Sequence, residues 1–179
     1  MKRILKNKNG FTLVELLAVI VILALIMAIA IVSMSGVIDS ARLNTTKNNA
    51  LYCIDAVRSN LILNNRLDEG TYYFASSLLE KGGTEFAFGG QYQYVNASDA
   101  PSGAAAIGSK IWRVTGNVTC DNSAPGAFVT VTADANGDYT YSICLPTNSE
   151  DDYYVSGTEN EISNADTKES IVKIDDTTE

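Results

Sequence analysis

A single acidic residue stands near the start of a long apolar run. Glu15 follows Gly10 and Phe11 closely, and the next charged residue is Asp39. The charge-free stretch 16–38 has 23 residues, which as a helix span about 35 Å, enough to cross a hydrocarbon core of about 30 Å. A charged side chain in a lipid-facing helix costs a few kcal/mol. Glu15 therefore needs a partner.

Other residue types that carry chemistry are sparse. The chain has no histidine, which removes the commonest general base and the commonest metal ligand. We therefore predict no enzyme activity, no catalytic residues and no cofactor. Asp134, Asn136 and Asp138 alternate as at the opening of a calcium loop, but Tyr139 and Leu145 occupy its sixth and twelfth positions, so the pattern fails. These three residues are only a weak metal candidate.

Charge is distributed unevenly along the chain. The formal net charge is −8, although four basic residues lie within the first ten: Lys2, Arg3, Lys6 and Lys8. From Thr147 onward, ten acidic residues face only two lysines. An acidic chain whose basic cluster is confined to the N-terminus argues against nucleic-acid binding. Residues 148–179 have little to bury, so we predict an acidic, flexible tail with one candidate strand at 170–174.

The apolar run continues as an amphipathic pattern. Apolar residues recur at a helical spacing up to Leu61, with charged residues on the other faces. We predict one helix from about Thr12 to Asn64, apolar over 11–38, amphipathic over 39–66 and closed by Gly70. A helix of this length cannot be buried in a small domain, so we expect half of it to protrude into a membrane or other subunits.

Short strands are predicted beyond the helix. Period-2 alternation and aromatic residues mark segments 71–76, 84–90, 91–96, 110–120, 127–134 and 139–145. Asn136-Gly137 predicts a two-residue hairpin turn between the last two. Residues 67–147 should therefore form a small antiparallel sheet packed on the apolar stripe of the helix. The predicted fold class is α+β.

Two common interpretations of the N-terminus leave features unexplained. A secretory signal peptide would have a basic start, an apolar run and a small-residue cleavage site at "AIA", residues 28–30. An uncleaved anchor would hold an extracellular binding domain at the membrane. Neither explains Glu15, nor why the basic segment ends in Gly10 directly before Phe11.

"KNKNG" followed by "FTLVELL" resembles the leader and mature start of the type IV pilin family, which comprises pilins and pseudopilins. The matching features are the basic leader 1–10, its last residue Gly10, Phe11 after the cut, Glu15 and the apolar helix. The resemblance covers about the first 30 residues. It implies that a membrane-embedded prepilin peptidase cleaves the Gly10–Phe11 bond and N-methylates Phe11.

The resemblance also implies what the processed chain does. It would enter the cytoplasmic membrane as a single span. An assembly platform with its ATPase would then add it, beside other copies and other pilins, to an extracellular filament at the cell surface. Glu15 of one subunit would neutralise the Phe11 amine of its neighbour. The alternative within the family is a pseudopilin of a type II secretion or DNA-uptake system. Many pilins carry prolines where this chain has Val32 and Tyr52.

Three cysteines allow one disulfide and one free thiol. If the head is exported, a Cys120–Cys144 bond would close 24 residues and stabilise it by about 3 kcal/mol. In a plain three-strand meander these residues would flank the central strand and stand too far apart, so Cys53–Cys144 and Cys53–Cys120 stay open. The family often has a disulfide in its C-terminal half. Cys53, on the helix, is typical of a small core residue.

Overall fold

The computed structural model describes residues 12–79, 92–96, 100–116, 118–147 and 153–174, with only the backbone at 31–35. The chain divides into two compact units, Met1–Arg42 and Leu43–Glu179. We call the second unit the head. The predicted strand 84–90 lies outside the described residues. So do the predicted cleavage residues Gly10 and Phe11.

Helix α1, Leu13–Leu63, matches the predicted helix to within one residue at each end. Its C-terminus is closed by Asn65, which adopts a left-handed conformation with φ of 51°. The Asn65 amide donates to the Ile62 carbonyl at 3.0 Å and the Arg66 amide to the Leu61 carbonyl at 2.9 Å. This paired arrangement satisfies two of the last carbonyls of the helix. Asn65 rather than the predicted Gly70 therefore ends the helix.

Seven strands and one short helix follow. They are β1 (Gly70–Phe74), β2 (Ala105–Ile107), β3 (Ile111–Val114), β4 (Phe128–Ala133), β5 (Tyr139–Pro146), β6 (Tyr153–Thr158), α2 (Glu159–Ser163) and β7 (Val172–Ile174). The strands form one sheet in the order β2-β3-β1-β4-β5-β6-β7, and every neighbouring pair is antiparallel. The protein is thus a long helix followed by an antiparallel sheet, as the α+β prediction stated.

One face of the sheet packs against α1. Alternate strand residues such as Tyr72, Val129 and Ile143 join Ile54 and Val57 of the helix in the main core. All five side chains are buried. The apolar residues that alternate along the strands therefore pack against the apolar residues at helical spacing in α1, and together they form one apolar seam. Most of the predicted apolar stripe of the helix that lies in the head is part of this seam.

The opposite face has its own smaller core, covered by the loop between β3 and β4. Tyr73, Trp112 and Phe128 are buried there beside Cys144. Tyr73 and Phe128 pack with ring centroids 5.2 Å apart. The loop is joined to the sheet by a disulfide from Cys120 to Cys144. Aromatic residues on both faces therefore build cores rather than an exposed platform.

Two strand predictions differ from the structure. The predicted strand 110–120 ends at Val114. Segment 92–96 forms only an isolated bridge between Tyr92 and Thr147. The backbone of Gln93 is held from two sides, because its amide donates to the Pro146 carbonyl of β5 and its carbonyl accepts from the Ala127 amide of the loop, each at 2.8 Å. Gly126 permits this approach, since a Cβ there would lie 2.7 Å from the Val95 amide nitrogen.

The prediction of a flexible tail is wrong for residues 153–174. Strand β6 pairs with β5, and β7, within the candidate strand 170–174, pairs with β6. Three of the apolar residues of this acidic region, Val155, Ile162 and Ile171, are buried in the main core. Their burial outweighs the acidic composition that suggested disorder, because the charged side chains between them stay at the surface.

Arg58 connects α1 to this C-terminal region. Its guanidinium pairs with Asp55 at 3.0 Å and hydrogen bonds the Glu159 carboxylate of α2. It also lies over the Tyr141 ring of β5, 4.2 Å from the centroid. Burial acts to lower the pKa of Arg58, but the hydrogen bond and charge of Glu159 outweigh it and the pKa is raised. Arg58 thus joins three elements through one cation.

We predict that Arg58→Met lowers the free energy of unfolding of the head by about 1 kcal/mol, because two partly exposed ion pairs, with Asp55 and Glu159, and one cation–π contact are lost. Trp112, the single tryptophan, is buried in the head, so its fluorescence during urea unfolding of the full chain in detergent micelles reports this change. Arg66→Met, at an exposed arginine, is the matched control. Equal stability of the two variants would contradict the linking role of Arg58.

Candidate processing and assembly site

The first described residues form a reciprocal cap at the start of α1. The backbone N–H and the Oγ1 hydroxyl of Thr12 donate to Oε2 of Glu15 at 2.8 and 2.9 Å. The Glu15 amide donates back to Thr12 Oγ1 at 3.3 Å. Thr12 therefore occupies the N-cap and Glu15 the third helical position, which is the capping-box arrangement. The Leu16 amide, donating to the Thr12 carbonyl at 3.2 Å, begins the helical ladder.

This cap explains how an acid is accommodated at the N-terminus of an apolar helix. The first amides of a helix lack intrahelical acceptors, and the helix dipole makes this end positive. A carboxylate in the first turn meets both requirements. Glu15 is therefore locally stabilised in the isolated chain, before any second subunit is present.

The side chains that follow Glu15 are apolar and exposed. Among the described residues, the segment Leu13–Ala30 of α1 is long and apolar enough to cross a membrane, and none of it is buried within the chain. Its exposed large side chains are Leu13, Val14, Leu16, Leu17, Val19, Ile20, Val21, Ile22, Leu23, Leu25, Ile26, Met27 and Ile29. Such a surface is stable in lipid or against other apolar helices, but not in water. Its length and composition favour membrane anchoring.

The predicted pairing of Glu15 concerns a residue outside the described part of the chain. Phe11, expected to supply the amine, is not described, and neither is Gly10. The residue that contacts Glu15 in the structure is Thr12, which sequence reasoning missed. The Thr-x-x-Glu spacing of residues 12–15 is a signal that would have revealed it. The same spacing forms a second capping box at Thr158 and Glu161 of α2, which was also missed.

The cysteines and the weak metal candidate lie in the head. The structure joins Cys120 and Cys144, with 5.6 Å between their Cα atoms. The strand order β3-β1-β4-β5 excludes the plain meander and places β3 even further from β5. The two cysteines can meet because Cys120 lies beyond the end of β3, on the loop that covers the sheet face carrying Cys144. Cys53 is a free, fully buried thiol in the main core, as predicted. Burial raises the pKa of this thiol.

Two tyrosines lie beside Cys53 in a partly polar region of the core. Burial raises the pKa of Tyr92 to about 12, although side-chain hydrogen bonds with Asn49 and Thr46 of α1 act to lower it. Burial raises the pKa of Tyr94 as well. These groups stay protonated at neutral pH, so they act as packing and hydrogen-bonding groups rather than as nucleophiles.

Asp134, Asn136 and Asp138 are used by the β4–β5 hairpin. Asp134 Oδ1 accepts from the amides of Asn136 and Asp138, each at 2.8 Å. The hydrogen bond from the Asp138 amide is the main cause that lowers the pKa of Asp134. The last paired residues are Ala133 and Tyr139, so the loop is longer than the predicted two-residue turn. Within the described residues, no group of three His, Cys, Asp or Glu side chains could hold a metal.

Comparison with known proteins identifies the N-terminal segment. Residues 5–31 match the family model described as the prokaryotic N-terminal methylation motif. No curated protein matches the chain, and no solved structure matches it. The match covers the predicted cut, Glu15 and the start of the apolar helix. It does not extend into the head.

The chain therefore carries the class III signal that is characteristic of type IV pilins and pseudopilins. This signal implies processing by a prepilin peptidase and assembly with other pilins. Proteins with the motif are structural rather than catalytic. Whether a member forms a pilus or acts in a secretion system depends on properties outside the matched segment.

We predict that Thr12→Val weakens the first turn of α1 by about 1 kcal/mol, because valine lacks the hydroxyl that donates to Glu15 Oε2 and accepts from the Glu15 amide. Thr12→Ser keeps the hydroxyl and is the matched control. In detergent micelles, amide hydrogen exchange at Leu16 and Leu17 should become about fivefold faster in the valine variant. Identical exchange in both variants would show that the capping box does not stabilise this end.

Proposed function

We propose that this protein is a pilin, the structural subunit of a type IV pilus-like surface filament. The observation that carries the proposal is an uncovered apolar helix, Leu13–Ala30, that opens with a carboxylate within a methylation motif. In this proposal residues 1–10 are a leader that prepilin peptidase removes. Residues 11–38 then insert in the membrane and later polymerise, while the rest of the chain forms the displayed head.

Cleavage after Gly10 changes the electrostatics of the helix start. It converts the Phe11 amide into an amine, which N-methylation leaves cationic, beside the positive end of the helix dipole. Glu15 is four residues away and is the nearest acid along the sequence. Opposite charges 4 Å apart attract by about 4 kcal/mol at an effective dielectric constant near 20. Each subunit therefore carries one cation and one acid at the same end of its span.

Pairing between subunits fixes how they stack. When apolar helices of several copies pack together, water is excluded and an unpaired charge becomes costly. A neighbour placed so that its Phe11 amine reaches Glu15 avoids this cost, whereas one displaced along the axis leaves two charges unmatched. The pair therefore selects register more than it adds stability. Before assembly, when the subunit is in the membrane, the capping box with Thr12 supplies hydrogen bonds to the same carboxylate.

A different partner acts at each step of processing and assembly. Prepilin peptidase acts on the leader, and the membrane holds the processed subunit by its single span. An assembly platform with its ATPase would extract the helix from lipid, which needs work because lipid and protein interiors are similarly apolar. Other copies and other pilins complete the filament. A pseudopilin would share these steps, and short or transient fibres in place of long surface filaments would distinguish it.

We predict that Glu15→Ala leaves membrane insertion and leader cleavage intact but lowers the yield of sheared surface filaments by roughly tenfold or more, because an unmatched buried charge costs a few kcal/mol. Asp39→Ala is the matched control, since it removes another exposed acid of α1 outside the candidate span. Filament yield is measured by immunoblotting sheared and cell-bound fractions. Normal yield from Glu15→Ala would refute the pairing role.

A further inference from the structure

The sheet face that carries the disulfide also presents an ordered set of hydroxyls. Thr130 lies directly across from Ser142, and Ser142 from Thr158, on adjacent strands β4, β5 and β6. Strands lie about 4.8 Å apart, so these side chains form a row. Alternation along each strand places the row on the same face as Phe128 and Cys144 and opposite α1.

Part of this row is the floor of a shallow groove of about 290 Å³. We call it the hydroxyl groove. Val118 and Phe128 contribute apolar lining, and Glu161 of α2 lines it as well. Its hydroxyl lining comes from Thr130, Ser142, Ser156 and Thr158.

The hydroxyls of the groove differ in their partners. Thr130 Oγ1 is 3.3 Å from Thr71 Oγ1, and Thr158 Oγ1 is held in the capping box by Glu161 Oε2. Ser142 and Ser156 are half-buried, and neither hydroxyl makes a hydrogen bond within the described part of the chain. Each hydroxyl can both donate and accept. The groove therefore offers two uncommitted hydroxyls beside apolar lining.

Charge limits the class of ligand. Outside the basic leader the chain carries a formal charge of −12, since the four leader cations account for the difference from −8. An anionic ligand is repelled by this field. Among the described residues, the groove is lined by one acid and no basic residue, so no cation of this lining neutralises a phosphate, sulfate or carboxylate. A neutral ligand with many hydroxyls fits both the charge and the hydrogen-bonding groups.

The geometry points to the hydroxyl groove as a binding site for a neutral saccharide. A pyranose ring has hydroxyls around its edge and an apolar C–H face, which match the serine hydroxyls and the half-buried Val118 side chain respectively. Glu161 adds an acceptor: its Oε2 takes the capping hydrogen bonds, and its Oε1 makes none to the described residues. The groove lies on the sheet face that the helix residues of the head leave uncovered.

The test uses the full chain in detergent micelles and saturation-transfer difference NMR. The probes are neutral gluco-, manno- and galacto-configured hexasaccharides, with hexagalacturonate as the anionic comparison. At least one neutral probe should bind, and hexagalacturonate should not. Ser142→Ala/Ser156→Ala should bind the neutral probe about tenfold more weakly, since two hydrogen bonds are lost. Pull-down with the matching insoluble polysaccharide then tests the form of the ligand. Retention on the polysaccharide indicates a surface-fixed saccharide, and no retention indicates a soluble oligosaccharide.

The matched control is Thr132→Val/Thr140→Val. These residues face each other on β4 and β5, on the same side of the sheet, but they do not line the groove. Their hydroxyls are exposed, so their loss should leave binding unchanged. Equal weakening by both double variants would overturn the groove as the site. Absence of binding by the unaltered chain to every neutral probe, or preference for hexagalacturonate, would overturn the saccharide class.

Discussion

The position of one carboxylate constrains everything else at the N-terminus. Glu15 lies in the first turn of an apolar helix, where a charge without partners would cost several kcal/mol. The capping box with Thr12 gives it two hydrogen bonds and a favourable place in the helix dipole. That arrangement makes the acid tolerable in a single chain while leaving it able to attract a cation. The proposed pairing with a neighbouring Phe11 amine uses this remaining capacity.

The head satisfies its own packing requirements. One sheet face is buried against residues of α1 such as Ile54 and Val57, and the other under the loop joined by Cys120 and Cys144. No residue of the segment Leu13–Ala30 is part of either core. The proposed transfer of this segment from lipid to a filament therefore requires no unpacking of the head.

The sequence was sufficient to predict an element wherever its apolar residues followed a single period, either helical or alternating. The charge-free run and the stripe through Ile54 and Val57 gave α1 to within one residue, and alternation located β1, β4 and β5. Strand β6 was missed, although β7 lies within the predicted strand 170–174. Val155 and Ile171 are separated by acidic residues, and their burial depends on a sheet that only the fold assembles. The Cys120–Cys144 pairing stayed open for a related reason, since it depends on the path of the β3–β4 loop across the sheet. The Thr12–Glu15 cap could have been predicted from the Thr-x-x-Glu spacing, but it was missed.

N-terminal and intact-mass analysis of the membrane-extracted protein tests the central claim most directly. The claim is that Gly10–Phe11 is a processing site whose cleavage creates the cation that Glu15 matches. The account predicts a chain that begins at N-methylated Phe11. A chain that begins at Met1 would indicate an uncleaved anchor, and one that begins at Ile31 would indicate an ordinary signal peptide. Either result would contradict the account.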